Sequence, residues 1–316
     1  MASTELKRSA KNFISIRDLS PAELVRLLDL SAELKADRKL RRKAPTATAL
    51  AGRHVAMLFE KPSLRTRSTF EIATHELGGE TLDVPAQFAE GIREPLQDVA
   101  RNLERWVDAI VVRTYAQAKV TAIAAAAPNM RVINALTDDE HPCQALADML
   151  TVRERWGSCR GRILAYVGDG NNTATSLAHA APMLGISLHV ASPAGFELPA
   201  RVIEDAMRSA RDGAQVRLFR DPKEAVAGAD AVYTDVWASM GEENEAAARK
   251  VVFADYQVNR ALMAAAPANA LFMHCLPAHR EEEVTAEVFE SPASVVFDQA
   301  ENRLHTEKAL LLILLS

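Results

Sequence analysis

Residues 163–173 read Ile-Leu-Ala-Tyr-Val-Gly-Asp-Gly-Asn-Asn-Thr: five apolar residues, a glycine-rich turn, and a threonine opening a helical stretch that reaches Leu184. A short, unbroken apolar run bounded by turn residues is the pattern of a strand covered on both faces. Followed at once by a helix, it is half of a βαβ unit. The same order occurs earlier, where His54–Phe59 runs into Ser63-Leu64-Arg65-Thr66-Arg67 and a helical stretch from Thr66 to Leu77, stopped by Gly78-Gly79.

Further strands are expected at Ala109–Val112, Val132-Ile133, Leu188–Ala191, Ala231–Tyr233, Ala270–Met273 and Val295–Phe297. Helices are expected over Asp98–Trp106, Thr121–Ala127, Ala145–Trp156, Pro199–Arg211 and Glu301–Leu315. Another opens at Ser20-Pro21-Ala22-Glu23, a capping box with proline in the first turn. Residues 40–47 read as a basic surface loop and Glu242–Lys250 as a charged, flexible stretch. Strands alternating with helices give an α/β chain with two doubly wound parallel-sheet domains. Trp156-Gly157-Ser158 is the natural boundary, with residues 1–150 in the first domain and 151–299 in the second.

Composition narrows the function classes. The 316 residues carry 37 Lys+Arg against 42 Asp+Glu, a formal net charge of -5, which gives no reason to expect nucleic acid. A hydrophobic share of 48% fills real cores and excludes disorder. The longest apolar run, Ala309–Leu315, falls short of the ~20 residues of a membrane helix. Met1–Ile14 has no apolar core of a secretory signal, so a cytoplasmic protein is expected. Cys143, Cys159 and Cys275 form neither a disulfide framework nor a zinc-ligand pattern.

Several short motifs carry chemistry. Ser63–Arg67 places two hydroxyls, two guanidiniums and free backbone N–H groups at a helix start, the recipe for holding phosphate, although GxxxxGK[ST] is absent. Read alone, it is as often a capped helix with surface arginines. Arg113 ends a strand, where open α/β sheets bind ligands. His141-Pro142-Cys143-Gln144 opens a helix with two side chains able to meet a carbonyl or phosphate oxygen. Gly168–Asn172 is a candidate nucleotide turn, and with it an oxidoreductase, but Thr173 stands where GxGxxG needs its third glycine. Asp235, with Ser239-Met240-Gly241 close behind, can pair with an ammonium group. His274-Cys275-Leu276-Pro277 follows a strand; adjacent residues there face opposite ways, so histidine and cysteine need not form a dyad.

Together these pieces resemble the aspartate/ornithine carbamoyltransferase family, over nearly the whole chain from Lys11. The SxRTR motif is Ser63–Arg67 and the HPxQ motif His141–Gln144. Asp235 with Ser239-Met240-Gly241, and HCLP at His274–Pro277, are similar to the family's ornithine branch. The resemblance implies attack by the δ-amine of L-ornithine on carbamoyl phosphate, with no metal and no organic cofactor. It implies that Ser63, Leu64, Arg65, Thr66, Arg113, His141, Gln144, Cys275, Leu276 and Arg303 bind carbamoyl phosphate. Asn172, Asp235, Ser239 and Met240 would bind ornithine, and Arg113, His141, Asp235 and Cys275 would act in catalysis. It further implies a C-terminal helix, about 300–316, returning to the first domain, and a homotrimer or an assembly of trimers. Two departures stand out. Leu64 replaces a frequent threonine, and Pro95, in Gly91-Ile92-Arg93-Glu94-Pro95, replaces a serine. The second leaves N-acetyl- or N-succinylornithine as the alternative acceptor.

Overall fold

The computed structural model describes residues 11–88, 93–238, 241 and 243–316. Among them the chain forms two compact units. One runs to Leu146 and takes in Arg303–Ser316; the other is Ala147–Asn302. Both divisions fall inside helices, Pro142–Trp156 and Val296–Leu315.

The first unit is built on a four-stranded parallel sheet. Its strands are β1 (His54–Phe59), β2 (Glu80–Val84), β3 (Ala109–Arg113) and β4 (Arg131–Leu136), in the order β2-β1-β3-β4. β1, β3 and β4 are buried almost throughout, which is why they read as apolar runs. β2 is an edge strand with mixed exposure and no apolar run, so the sequence reading missed it. Ala56, Leu58, Ile110, Val112 and Val132 meet Val99, Leu103, Val120 and Ile123 of the covering helices in one core. The helix Pro21–Asp37 starts where Ser20 and Glu23 predict, with both halves of the capping box formed. The basic residues after it, Arg38–Lys43, form 3-10 turns broken by a kink at Arg41, and residues 44–47 continue as turns.

The second unit holds a five-stranded parallel sheet. The strands are β5 (Ile163–Val167), β6 (Ser187–Ala191), β7 (Val216–Phe219), β8 (Ala231–Thr234) and β9 (Leu271–His274), in the order β7-β6-β5-β8-β9. The edge strand β7, half exposed, was again invisible to periodicity. The strand expected at Val295–Phe297 does not form. Ser294 makes one isolated bridge to Phe272, and a helix begins at Val296. The apolar Val-Val-Phe triplet mimics a strand, but Phe297 is 66% exposed and Gln299 is committed to helix-borne hydrogen bonds. The stretch expected to be flexible contains a helix, Ala246–Val252, with Arg249 buried. No helix among the described residues is long and apolar enough to cross a membrane.

Each sheet reverses its strand order beside its first strand: between β1 and β3 in one, between β5 and β8 in the other. Those are the points where open α/β sheets leave a crevice at the strands' carboxyl ends.

Candidate active site

At the first switch point, β1 ends at Phe59 beside Arg113, the last residue of β3. Ser63 caps the helix Leu64–Glu76, its Oγ accepting the Thr66 N–H at 3.2 Å. A helix start leaves amides that no helical carbonyl accepts, the usual setting for an anion. Leu64 is the first helical residue, and its side chain is 78% exposed. Arg65 is half-buried and Thr66 buried.

Arg303 ties these groups together. It is 2% exposed and donates from Nη1 to Gln144 Oε1 at 2.8 Å and from Nη2 to Thr66 Oγ1 at 2.9 Å. Nε and Nη2 also donate to Glu307 Oε1, at 3.1 and 2.9 Å. Burial lifts the Glu307 carboxyl to about 7, against the lowering pull of Arg303 and Thr69. His141 is buried at the entry to the Pro142–Trp156 helix, and its ring hydrogen-bonds to the Ala135 carbonyl. Burial first, and then the charges of Arg303, Arg113 and Arg65, hold its pKa well below the ordinary value. The ring therefore works as a neutral imidazole among cations. Cys143, inside the same motif, is buried and donates to the Asn134 carbonyl at 3.4 Å; burial raises its pKa, so it is a packing residue.

The second switch point is built differently. Gly168, Asp235 and Cys275 are the first residues beyond β5, β8 and β9. Asp235 is buried; its Oδ1 accepts the Cys275 thiol at 2.9 Å and its Oδ2 accepts Asn171 Nδ2 at 3.0 Å. Asn171 also caps the helix Asn172–Met183, so one side chain starts the helix and orients the carboxylate. Asn172 is the next residue, half-buried. Ser239 and Met240 lie outside the described residues.

The nucleotide-turn reading fails on hydrogen bonds. The N–H groups of Gly168, Gly170 and Asn171 donate to the carbonyls of Ala191, Phe196 and Asp169, leaving none of the three for a pyrophosphate. Gly170 is needed for a different reason: a Cβ there would lie 2.4 Å from the Leu198 nitrogen.

His274 and Cys275 face apart. Leu276 N–H donates to His274 Nδ1 at 2.9 Å, which places the ring proton on Nε2, 3.1 Å from Glu283 Oε1. That oxygen also accepts the His279 N–H at 2.6 Å. Glu283 and His274 are fully buried and fix the Cys275–Leu276 backbone. Asp235, His274 and Cys275 bring ligand-type atoms within 4.8 Å, but a metal there would have to break this relay, since both His274 nitrogens are engaged.

The sequence reading missed three contributors. Arg249 donates to Asp169 at 2.6 Å and to the Trp237 carbonyl at 3.0 Å, anchoring the loop beyond β8; among so many neighbouring charges it read as solvated. Glu283 acts through another residue, which no spacing marks; Asn171, one of two asparagines that the sequence offers to an amino-acid head group, instead donates to Asp235. Glu307 did leave a signal, standing four residues after Arg303 on one helix. Of the unusual 91–95 loop, Gly91 and Ile92 lie outside the described residues; Pro95 precedes the helix Leu96–Leu103 and offers no side-chain cap.

Two parallel sheets of this order, one ending in an arginine cradle and the other in a buried carboxylate, define a class. The chain belongs to the aspartate/ornithine carbamoyltransferase family: residues 11–154 match its carbamoyl-P binding domain and residues 160–314 its Asp/Orn binding domain. Relatives within it at 45–50% identity include ornithine enzymes. Ornithine carbamoyltransferase of Parafrankia sp. is 49% identical over 309 residues, covering 97% of this chain and 96% of that protein. The anabolic ornithine carbamoyltransferase of Pseudomonas aeruginosa is 47% identical, covering 97% and 98%. The ornithine carbamoyltransferase structure from Pyrococcus furiosus superposes with a TM-score of 0.90 at 45% identity, covering 95% of each chain. That from Thermus thermophilus gives 0.87 at 43%, covering 97% and 99%.

Proposed function

We propose that this chain transfers the carbamoyl group of carbamoyl phosphate to the δ-amine of L-ornithine, giving L-citrulline and phosphate. One observation carries the reading: the first switch point gathers Arg65, Arg113 and Arg303 around a neutral His141, while the second offers a buried carboxylate hydrogen-bonded to a thiol. The first suits a phosphorylated substrate and the second an amine.

Ser63, Arg65, Thr66 and the Leu64 N–H hold the phosphoryl oxygens. Arg113, neutral His141 and Gln144 orient the carbamoyl group and stabilise the oxyanion that forms as the amine adds to the carbonyl carbon. Arg303 braces Thr66 and Gln144, and Leu276 completes the carbamoyl contacts. Asn172 and Asp235, with Ser239 and Met240, hold ornithine. The amine nitrogen loses a proton as the C–N bond forms, helped by Asp235 and Cys275. The C–O bond to phosphate then breaks, and phosphate leaves. Positioning and electrostatics supply the rate, with no metal or organic cofactor. The attacking amine must be neutral, and such amines titrate near ~10, so activity rises with pH across roughly 6 to 9. We assign the biosynthetic direction, following the anabolic relative. We further propose a cytoplasmic homotrimer, to be checked by light scattering.

The test is citrulline formation from carbamoyl phosphate with ornithine, N-acetylornithine, putrescine and aspartate offered in parallel. Turnover with ornithine alone is expected. Turnover only with the acylated amine would keep the chemistry and overturn the acceptor.

A further inference from the structure

Glu307 is a buried titratable group to which the reaction described above gives no task. Its side chain is 1% exposed, one turn beyond Arg303 on the helix Val296–Leu315. Oε1 alone bridges the guanidinium, accepting from Nε at 3.1 Å and from Nη2 at 2.9 Å. The other hydrogen bonds of Arg303 go to Gln144 Oε1 and Thr66 Oγ1, side chains of the carbamoyl-phosphate cradle. One carboxylate thus stands directly behind one of the three cations, Arg65, Arg113 and Arg303, that surround His141.

Among the described residues, few charged or titratable groups face Glu307. Its own helix supplies Arg303, while Lys308 turns to Glu76 Oε2 at 2.9 Å. The helix Leu64–Glu76 supplies the Thr69 hydroxyl. The helix Pro142–Trp156 supplies the Cys143 thiol, which burial first and then the Glu307 charge keep protonated. His141, two residues before it, is held neutral. Carbamoyl phosphate brings nearly two negative charges to these arginines. Its phosphoryl group then shares Arg303 with Glu307, and two anions crowded on one buried cation do not both keep their charge. The phosphoryl group has Arg65, Arg113 and the amides of a helix start besides, whereas Glu307 has Arg303 alone. The carboxyl is therefore the one that is neutralised. Burial, which lifts it to about 7 even without substrate, acts in the same direction.

Resting on the carbamoyl-phosphate reading of that site, we propose that Glu307 is a positioning residue that takes a proton from solvent when carbamoyl phosphate binds and returns it when phosphate leaves. Ionised, it spends the charge of Arg303 on itself. Protonated, it keeps its carbonyl oxygen on Nε and Nη2 as a neutral acceptor, so that the guanidinium stays in place and its charge goes to the phosphoryl dianion. Affinity for carbamoyl phosphate therefore falls as pH rises past neutrality, opposite in sign to the demand for a neutral attacking amine.

The test is calorimetric titration with carbamoyl phosphate, no acceptor present, at pH 7, 8 and 9, where a phosphomonoester is mostly dianionic. Each titration is repeated in two buffers of different ionisation enthalpy, which counts the protons exchanged. With Glu307 titrating at about 7 in the free protein, Kd should rise about fivefold from pH 7 to pH 8, and close to one proton per chain should be taken up at pH 8. Glu307→Gln presents a neutral acceptor at every pH. Its Kd should be flat across that range and about tenfold tighter than the parent's at pH 8, with no proton taken up. A parent that takes up no proton, or whose Kd stays constant to pH 9, would overturn the proposal whether or not the variant folds. So would a glutamine variant that keeps the parent's pH slope, whatever its affinity, since Glu307 would then be a packing partner of Arg303 and nothing more. Absence of carbamoyl-phosphate binding at every pH would instead strike the catalytic reading.

Discussion

At the first sheet's switch point, between β1 and β3, Arg65, Arg113 and Arg303 surround a histidine that their charge, with burial, keeps neutral. At the second, between β5 and β8, a buried aspartate takes a thiol and an amide as its hydrogen-bond donors. The reversal of strand order is shared and the electrostatics are opposite. Strand order decides where a crevice lies; the side chains gathered there decide what enters it. Each half also has a buried support: Arg303–Glu307 in the first and Glu283–His274 in the second.

The largest effects should come from exchanging damage between the halves. Arg65→Ala is expected to lower kcat/KM for carbamoyl phosphate by about 10² to 10³, the usual loss when one oxyanion or phosphate donor goes. Asp235→Asn should cost about 10² in kcat/KM for ornithine and leave the KM of carbamoyl phosphate nearly unchanged. Steady-state kinetics with each substrate varied in turn decides the matter. Equal losses toward both substrates in both variants would mean that the division of labour drawn here is wrong.

Next come the supports. Glu283→Ala removes the acceptor for His274 Nε2 and His279 N, and should lower kcat/KM for ornithine about tenfold, the worth of one buried hydrogen bond. Glu283→Gln can present its carbonyl oxygen where Oε1 stands and its amide where Oε2, buried without a hydrogen-bond partner, now lies. It should restore most of the activity. If Gln proves as damaging as Ala, the charge matters and the relay needs a different explanation.

On the other side, Glu307 gives a pH signature. Its native pKa of about 7 lies above that of an unfolded glutamate, so the native state keeps a proton the unfolded chain has lost. That contribution is complete below roughly pH 4.3 and is lost as pH rises through about 7. His141 has the opposite sign: its pKa is depressed, so stability falls as pH drops below roughly 6.5 and the unfolded ring takes up a proton. In the parent the two offset each other. Glu307→Gln should expose the histidine's effect, with urea midpoints falling more steeply from pH 7 to pH 5 than in the parent. Parallel profiles would show that Glu307 does not titrate in this window.

Much of this was legible in residue order. The buried strands β1, β3, β5 and β8 announced themselves as apolar runs, and the SxRTR and HPxQ stretches stood at helix starts, where anions bind. What stayed hidden has physical causes. β2 and β7 are edge strands whose exposed faces break the pattern. Val295–Phe297 has the right residues for a strand, but Phe297 is exposed and Gln299 is bonded to Asp148 and the His274 amide. Arg249 lay in a stretch that read as charged and flexible, and Glu283 carried no signal, because burial belongs to the folded chain and leaves no mark on local spacing.

The smallest effect is expected at Leu64, and it isolates a backbone role. Its side chain is exposed, so Leu64→Thr removes little packing and should change kcat/KM by no more than about twofold, the scale of an ordinary surface substitution. Leu64→Pro sharpens the point. Proline suits the first helical position, and Ser63 before it is already extended at φ -155, ψ 108, so the helix should survive. What proline deletes is the Leu64 N–H. If that amide holds a phosphoryl oxygen, the proline variant should melt within a few degrees of the parent yet raise the KM for carbamoyl phosphate about tenfold, the worth of one hydrogen bond to a charged group. A threonine variant as impaired as the proline one would move the contact from backbone to side chain. A proline variant with unchanged KM would take Leu64 out of the phosphate cradle and leave the cradle to Ser63, Arg65 and Thr66.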